Sequence, residues 1–357
     1  MTTAPPPTVD GADRRPPSTG HAAAAPSPVA AAAGWLVQNP LLVLLVVMVA
    51  GVQLATGAQL GWGNLRGVFL DAAVIAIVAA PVAMLVIAGY IDLSVGSTLA
   101  LGGVVAGKVA QSGGSPLVAV GAALLAGAAV GVVNAVLATV FGLSSFIVTL
   151  GMLTAVRGVA QLVSPLPLSN FGEAFGFLGI GNIAGIPLPA LLAVAVLLTA
   201  GVFLTRTPAG RHLYAIGVNR EAAYLSGVDT RRIPFLLFVT SGAAAGLAGA
   251  ITVARLNSAP AGQLGGGFEL AVITAVLLGG VALTGGEGSM VDVLVGVLFM
   301  GLLRNGLTLL GVTTFWQNVA SGLALVAAIA IAAATHVVRG KMRAREAHRL
   351  DDAAPTG

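Results

Sequence analysis

An all-α polytopic membrane fold of about ten transmembrane helices is predicted by three observations. Charged side chains make up 8% of the 357 residues and apolar ones 57%, whereas a soluble domain carries roughly 25% charge. Mean hydropathy is accordingly high, at +0.97. Apolar runs recur from Trp35 to Val338, each near the roughly 20 residues that cross a bilayer. The runs are continuous and do not alternate, which excludes a membrane β-barrel. The 49 glycines suit helices in lipid, where close packing replaces the missing hydrophobic drive.

Residues 1–33 hold Pro5–Pro7 and almost no large apolar side chain, so a disordered cytoplasmic tail is expected. The first apolar run lies too deep and is too long for a cleaved signal peptide, and reads as a signal anchor. A transmembrane domain over 34–338 follows, with spans expected near 35–55, 68–90, 96–111, 116–141, 145–163, 188–204, 234–254, 270–284, 289–309 and 315–337. The spans at 96–111 and 270–284 are short and Gly-interrupted, the pattern of broken or re-entrant helices. Residues 205–233 form the sizeable polar loop between spans, and 339–357 a basic cytoplasmic tail.

Positive charge orients this scheme. With both termini in the cytoplasm, three segments hold 12 of the 17 Lys and Arg inside. These are Arg14 and Arg15; Arg206, Arg211, Arg220, Arg231 and Arg232; and Arg339, Lys341, Arg343, Arg345 and Arg349. The loop from Ser164 to Pro187 falls outside and has none, as the positive-inside rule expects. An even span count follows.

Several chemistries drop out. With no cysteine, disulfides, thiolate catalysis and cysteine metal sites are excluded. His21, His212, His336 and His348 are not paired at metal-ligand spacing. GGVVAGKV at Gly102–Val109 resembles part of a phosphate loop, but Val109 stands where Ser or Thr is needed and no strand precedes it. Asp71, Asp292 and Arg304 are the ionisable residues expected in helices. The last two lie about 18 Å apart along one helix, too far to pair. Glu287 in TGGEGS reads as an inner-face turn residue.

Two polar islands remain. In GYIDLSVGSTLALGG, Gly89–Gly103, Asp92 sits beside Ser94, Ser97 and Thr98, although an acid at a helix centre costs about 2.5–3.5 kcal/mol on insertion scales. Asp92 either N-caps the third helix or belongs to a polar knot at a transport path. In 205–233, Asn219 is placed to cap a short helix from Arg220, and Gly227 to end it. Ala222, Ala223 and Ser226 would share its small-residue face. That helix either inserts into a groove of another protein or is a solvated loop whose arginines set topology.

Four blocks carry a family resemblance. G-x-IDLSVGS-x-LAL-x-G is similar to the signature of permease subunits of bacterial ABC importers for monosaccharides, of ribose/xylose/arabinose type. FIVTLGMLTAVRGVA (Phe146–Ala160), GRHLYAIGVNREAAYLSGVD (Gly210–Asp229) and the block Ala275–Val312 continue it in order. E-A-A before Gly227 resembles the coupling motif of such permeases, although Ile233-Pro234 follow sooner than in its fuller form. The resemblance implies a non-enzymatic subunit without cofactor, with ATP bound by a separate cytoplasmic ATPase. It further implies an extracytoplasmic sugar-binding protein and a homodimer or heterodimer with a second permease. Arg220, Glu221, Ala222, Ala223 and Gly227 become the ATPase-coupling residues. Asp92, Ser94, Ser97, Asn134, Thr149 and Thr274 become candidates for the path or its gate. A permease for branched-chain amino acids or another small metabolite, and an ion-coupled secondary transporter, remain the alternatives. An odd number of spans per half would make the halves inverted, with DLSVGSTLALGG and GEGSMVDVLVGV as corresponding elements.

Overall fold

A computed structural model describes residues 40–313, 315–327 and 329–330. The expected tails, 1–33 and 339–357, lie outside the described residues. Helices α1 (Pro40–Thr56), α2 (Trp62–Ile87), α3 (Val95–Gln111), α4 (Pro116–Ala135) and α5 (Ser145–Val163) form the first half, and α4 continues through a π-helical turn, Val136–Val140. The second half holds α6 (Glu173–Ile180), α7 (Leu188–Arg206), α8 (Pro208–Val218), α9 (Arg220–Leu225), α10 (Arg232–Leu256), α11 (Phe268–Leu278) and α12 (Met290–Leu309). Residues 315–327 are helical again. Six of these helices are long and apolar enough to cross a membrane, so the expected count of ten is met in part by length and composition. α3 and α11, 17 and 11 residues long, are the two expected to be short.

The loops sort to two ends. At one end, which carries the arginine-rich segment and is here called the basic end, Gly286 N–H donates to Ile87 O (2.8 Å) and Tyr214 Oη to Gly288 O (2.7 Å). TGGEGS therefore lies against α2 and α8. At the far end, Leu168–Ser169 and Ser258–Ala259 pair as a two-stranded antiparallel ribbon. Asn257, in the left-handed conformation that closes α10, accepts from Phe171 N–H (3.1 Å). Asn64 and Asn305 exchange amide hydrogen bonds there at 2.9 and 2.7 Å.

The core is built on α2 and α10. Beyond Asp71, α2 is apolar all round, as a helix surrounded by others must be, and 94% of its membrane window is buried. α10 packs on α3 and α4 through glycines. A Cβ on Gly127 would overlap the carbonyl of Gly242, one on Gly246 that of Ala123, and one on Gly249 that of Leu99. Backbones touch because no side chain intervenes, the arrangement that holds helices together in lipid.

The halves are crossed and inverted. α2 ends at the basic end, the chain runs inward without regular structure over 88–94, and α3 starts inside the bundle. In the second half α10 ends at the far end, 257–267 turns inward, and α11 starts inside. The two starts abut: a Cβ on Gly96 would overlap the Glu269 carboxylate and lie 2.7 Å from Gly265 O. The counterpart of DLSVGSTLALGG is thus 257–278. This corrects the expected pairing with GEGSMVDVLVGV, which starts α12 at the basic end under a Ser289 cap.

Candidate functional site

Asp92 is 1% exposed and lies in the segment that enters the bundle before α3. Its Oδ1 accepts from Ser94 N–H (3.0 Å) and Ser94 Oγ (2.7 Å), and its Oδ2 from Ser241 Oγ (2.9 Å). Ser94 Oγ in turn accepts from Asn134 Nδ2 (2.8 Å). A carboxylate bonding the amide two residues on is an Asx turn, so Asp92 precedes the helix and is not its N-cap as expected. Thr98 Oγ1 donates back to Ser94 O (2.9 Å) and closes the first turn. Ser241 stands nine residues beyond Arg232, where α10 begins. At 1.5 Å per residue that is about 14 Å from the basic end, near half the depth of a bilayer core. The three bonds it accepts offset part of the cost of burying the carboxyl group at that depth.

The remaining sequence candidates are each 1% exposed or less. Ser97 Oγ donates to Leu153 O on α5. Thr149 Oγ1 donates to Ser145 O (2.8 Å) and Ile91 O (3.4 Å), holding α5 to the Asp92 segment. Thr274 Oγ1 bonds within its own helix, to Leu270 O (2.6 Å). The structure thus joins Asp92, Ser94 and Asn134, ties α5 to them through Ser97 of α3 and through its own Thr149, and leaves Thr274 apart.

Residues that sequence reasoning missed complete this region. Ser241 is 149 positions from Asp92 in a helix of small residues, where no periodic signal marks it. Glu269 is 9% exposed, and its Oε2 has no hydrogen-bond partner among the described residues. Arg157 reaches from α5 to the carbonyls of Ala261 (3.4 Å), Gly265 (3.3 Å) and Leu264, tying down the segment that leads to Glu269. Its position in GMLTAVRGVA was visible, but the carbonyls it holds were not. Asp71 pairs with Arg255 at 2.6 Å. Asp292 accepts from Ser289 Oγ (2.6 Å), while Arg304 donates to Ser321 Oγ (3.5 Å), so Asp292 and Arg304 are indeed not partners.

At the basic end, Asn219 Oδ1 accepts from Ala222 N–H (3.0 Å) and starts α9. Gly227, at φ 81°, ends it, with Gly227 N–H on Tyr224 O (2.9 Å) and Val228 N–H on Ala223 O (3.0 Å). Ala223 points inward at 5% exposed, so the expected face of Ala222, Ala223 and Ser226 does not form. The free surface of α9 carries Arg220, Glu221, Ala222, Tyr224 and Leu225, the last two 68% and 79% exposed. An open cleft of about 680 Å³ runs beside it to Arg231. Asp229 Oδ1 accepts from Arg231 and Arg232 N–H (3.1 and 2.8 Å), which holds its carboxyl below the usual range.

Two discontinuous helices meeting inside a bundle, with a short polar helix at one end, define a class: a multi-pass helical membrane permease. The chain belongs to the branched-chain amino acid transport system / permease component family, whose profile matches residues 64–329. It is 38% identical to the ribose import permease protein RbsC of Escherichia coli K12 over 302 residues, 83% of this chain and 94% of that one. It is 33% identical to the D-allose transport system permease protein AlsC of the same organism, over 83% of this chain and 91% of that one. With the L-arabinose ABC transporter permease protein AraH of Azospirillum brasilense the identity is 35%, over 82% and 86% of the two chains. No solved structure matches the chain.

Proposed function

We propose that this chain is the permease subunit of an ABC importer for a monosaccharide. The carrying observation is the 38% identity with a ribose import permease along 83% of the chain. The geometry agrees with that reading. α9 presents a compact exposed surface on a loop that packs against the inner core, as a helix gripped by a motor subunit requires. The protein performs no covalent chemistry in this reading and needs no cofactor of its own. A cytoplasmic ATPase binds ATP, seats α9 through Arg220, Glu221, Ala222 and Gly227, and is approached by Ala223 only from within. An extracytoplasmic sugar-binding protein delivers substrate at the far end, and two permease chains, alike or different, enclose the path. Both termini and the basic end face the cytoplasm, since the arginines of 205–233 lie there.

A neutral sugar needs hydroxyl partners and no counter-ion. Asp92 is bonded by Ser94 and Ser241, and Ser94 by Asn134, so their role in this reading is to hold the junction that opens and shuts beside the path. Ser97 and Thr149 brace that junction against α5, and Thr274 stands on the second half-helix. The test is uptake of labelled ribose, allose, arabinose and leucine in cells with and without the gene. Loss of one of the sugars alone supports the reading. Loss of leucine alone transfers the chain to amino-acid import. Solute movement by the purified chain in liposomes under an ion gradient, with no ATPase present, replaces both by a secondary transporter.

A further inference from the structure

The chain must carry a displacement of α9 to the Asp92 junction, and the side chains between them form a continuous path. Arg220 opens α9, and its guanidinium carbon stands 5.7 Å from the centre of the Tyr90 ring, within cation–π range. Among the described residues Arg220 forms no ion pair. Tyr90 is 6% exposed and its hydroxyl has no hydrogen-bond partner among the described residues, so its ring is the part in use. That ring meets Phe238 edge-on, at 5.8 Å and 85°. Phe238 is fully buried, and its backbone carbonyl is pressed by α4 at Gly131 so closely that a Cβ there would overlap it.

Tyr90 touches both sides of one bond. It lies two residues before Asp92 in the same segment, and Phe238 lies one helical turn before Ser241, the partner of Asp92 Oδ2. A polar cavity of about 460 Å³, lined by Gly89, Tyr90, Ser144, Ser145, Asn219 and Arg220, adjoins the contact. Tyr90 thus has room on one side and a rigid neighbour on the other.

We propose that Tyr90 is the positioning residue that relays movement of the ATPase-bound helix, through Arg220 on its face, to the Asp92–Ser241 bond at mid-depth. This rests on the importer reading. Closure of the motor subunits shifts α9, Arg220 carries the Tyr90 ring along, and the ring displaces Asp92 relative to Ser241. What supports the relay is the unbroken series of contacts from Arg220 through Tyr90 to Phe238, and coupling between its members is measurable.

The experiment uses the permease reconstituted in liposomes with its ATPase and sugar-binding protein, and whichever labelled sugar of ribose, allose and arabinose the uptake test retains. Sugar imported per ATP hydrolysed is measured for wild type, Arg220→Gln, Tyr90→Leu, Tyr90→Phe and the Arg220→Gln/Tyr90→Leu double variant. Each of Arg220→Gln and Tyr90→Leu should lower the ratio about 10-fold, and the ATPase should still co-purify with Tyr90→Leu, whose ring is buried and outside the α9 surface. The double variant should fall no further, and Tyr90→Phe, which keeps the ring face, should retain the ratio. A ratio unchanged in Arg220→Gln overturns the relay, as does a multiplicative loss in the double variant or a loss in Tyr90→Phe equal to that in Tyr90→Leu. If Tyr90→Leu does not fold, Arg220→Gln and Tyr90→Phe decide the matter alone. A wild-type complex whose ATP hydrolysis ignores the loaded binding protein removes the importer reading itself, and the relay with it.

Discussion

Replacing Asp92 by Ala removes the acceptor of three hydrogen bonds, of 3.0, 2.7 and 2.9 Å. Bonds to a charged group are worth about 1.5–3 kcal/mol each, but the loss is smaller than their sum. Ser241 Oγ is free to turn to a carbonyl of its own helix, as Thr98 and Thr149 do. Ser94 Oγ keeps its bond from Asn134. The desolvation cost of a buried carboxylate also disappears. What lose their acceptor are the buried Ser94 N–H and the Ser94 Oγ–H, so the net penalty is at least about 2 kcal/mol. That corresponds to about 30-fold in any equilibrium the junction controls. Uptake of labelled sugar per inserted molecule should therefore fall strongly in Asp92→Ala, while the amount of protein in the membrane, read by quantitative blotting, falls much less. Asp92→Asn, which keeps an acceptor for Ser94 N–H, should lie between. Unchanged uptake per inserted molecule in Asp92→Ala would refute the argument that this junction governs transport.

Three further outcomes are expected. Gly127→Val places atoms into the Gly242 backbone and should cost about 1–3 kcal/mol or more by overpacking, lowering the melting temperature in detergent. Gly151→Ala, where nothing lies within 4 Å of the new carbon, should not. Glu269→Ala empties the space its side chain fills against Gly96 and should destabilise the protein more than Glu269→Gln, which keeps that volume, by about 1–3 kcal/mol in the same melting assay. Equal melting temperatures would remove Glu269 from the junction of the half-helices. The Asp229 carboxyl is held below its ordinary value by the amides of Arg231 and Arg232. Its contribution is therefore complete above the ordinary carboxylate value and is lost as pH falls through the lowered one. Amide exchange corrected for intrinsic rate should show Arg231 and Arg232 protected at neutral pH and less so in acid, and Asp229→Ala should abolish that dependence.

Much of the architecture was legible in local signals. The approximate limits of the six membrane-length helices and the two short helices follow from hydropathy and glycine. The limits of α9 followed from Asn219 and Gly227, because caps act within a few residues of themselves. The direction of Ala223 was not legible, since a six-residue helix has too little periodicity to tell which small residue faces inward.

By itself the sequence determined that this is a multi-pass helical permease of a known family, with an acid held near Ser94 and a capped helix in its polar loop. Only the tertiary structure decided that Asp92 bonds Ser241, that Glu269 abuts Gly96, and that Tyr90 stands between Arg220 and Phe238. In water, an amphipathic stripe distinguishes the face turned to the core. In lipid the outward face is as apolar as the inward one, so periodicity carries no such information. Which glycine meets which backbone, and which lone hydroxyl reaches a distant carboxylate, is set by the crossing of whole helices.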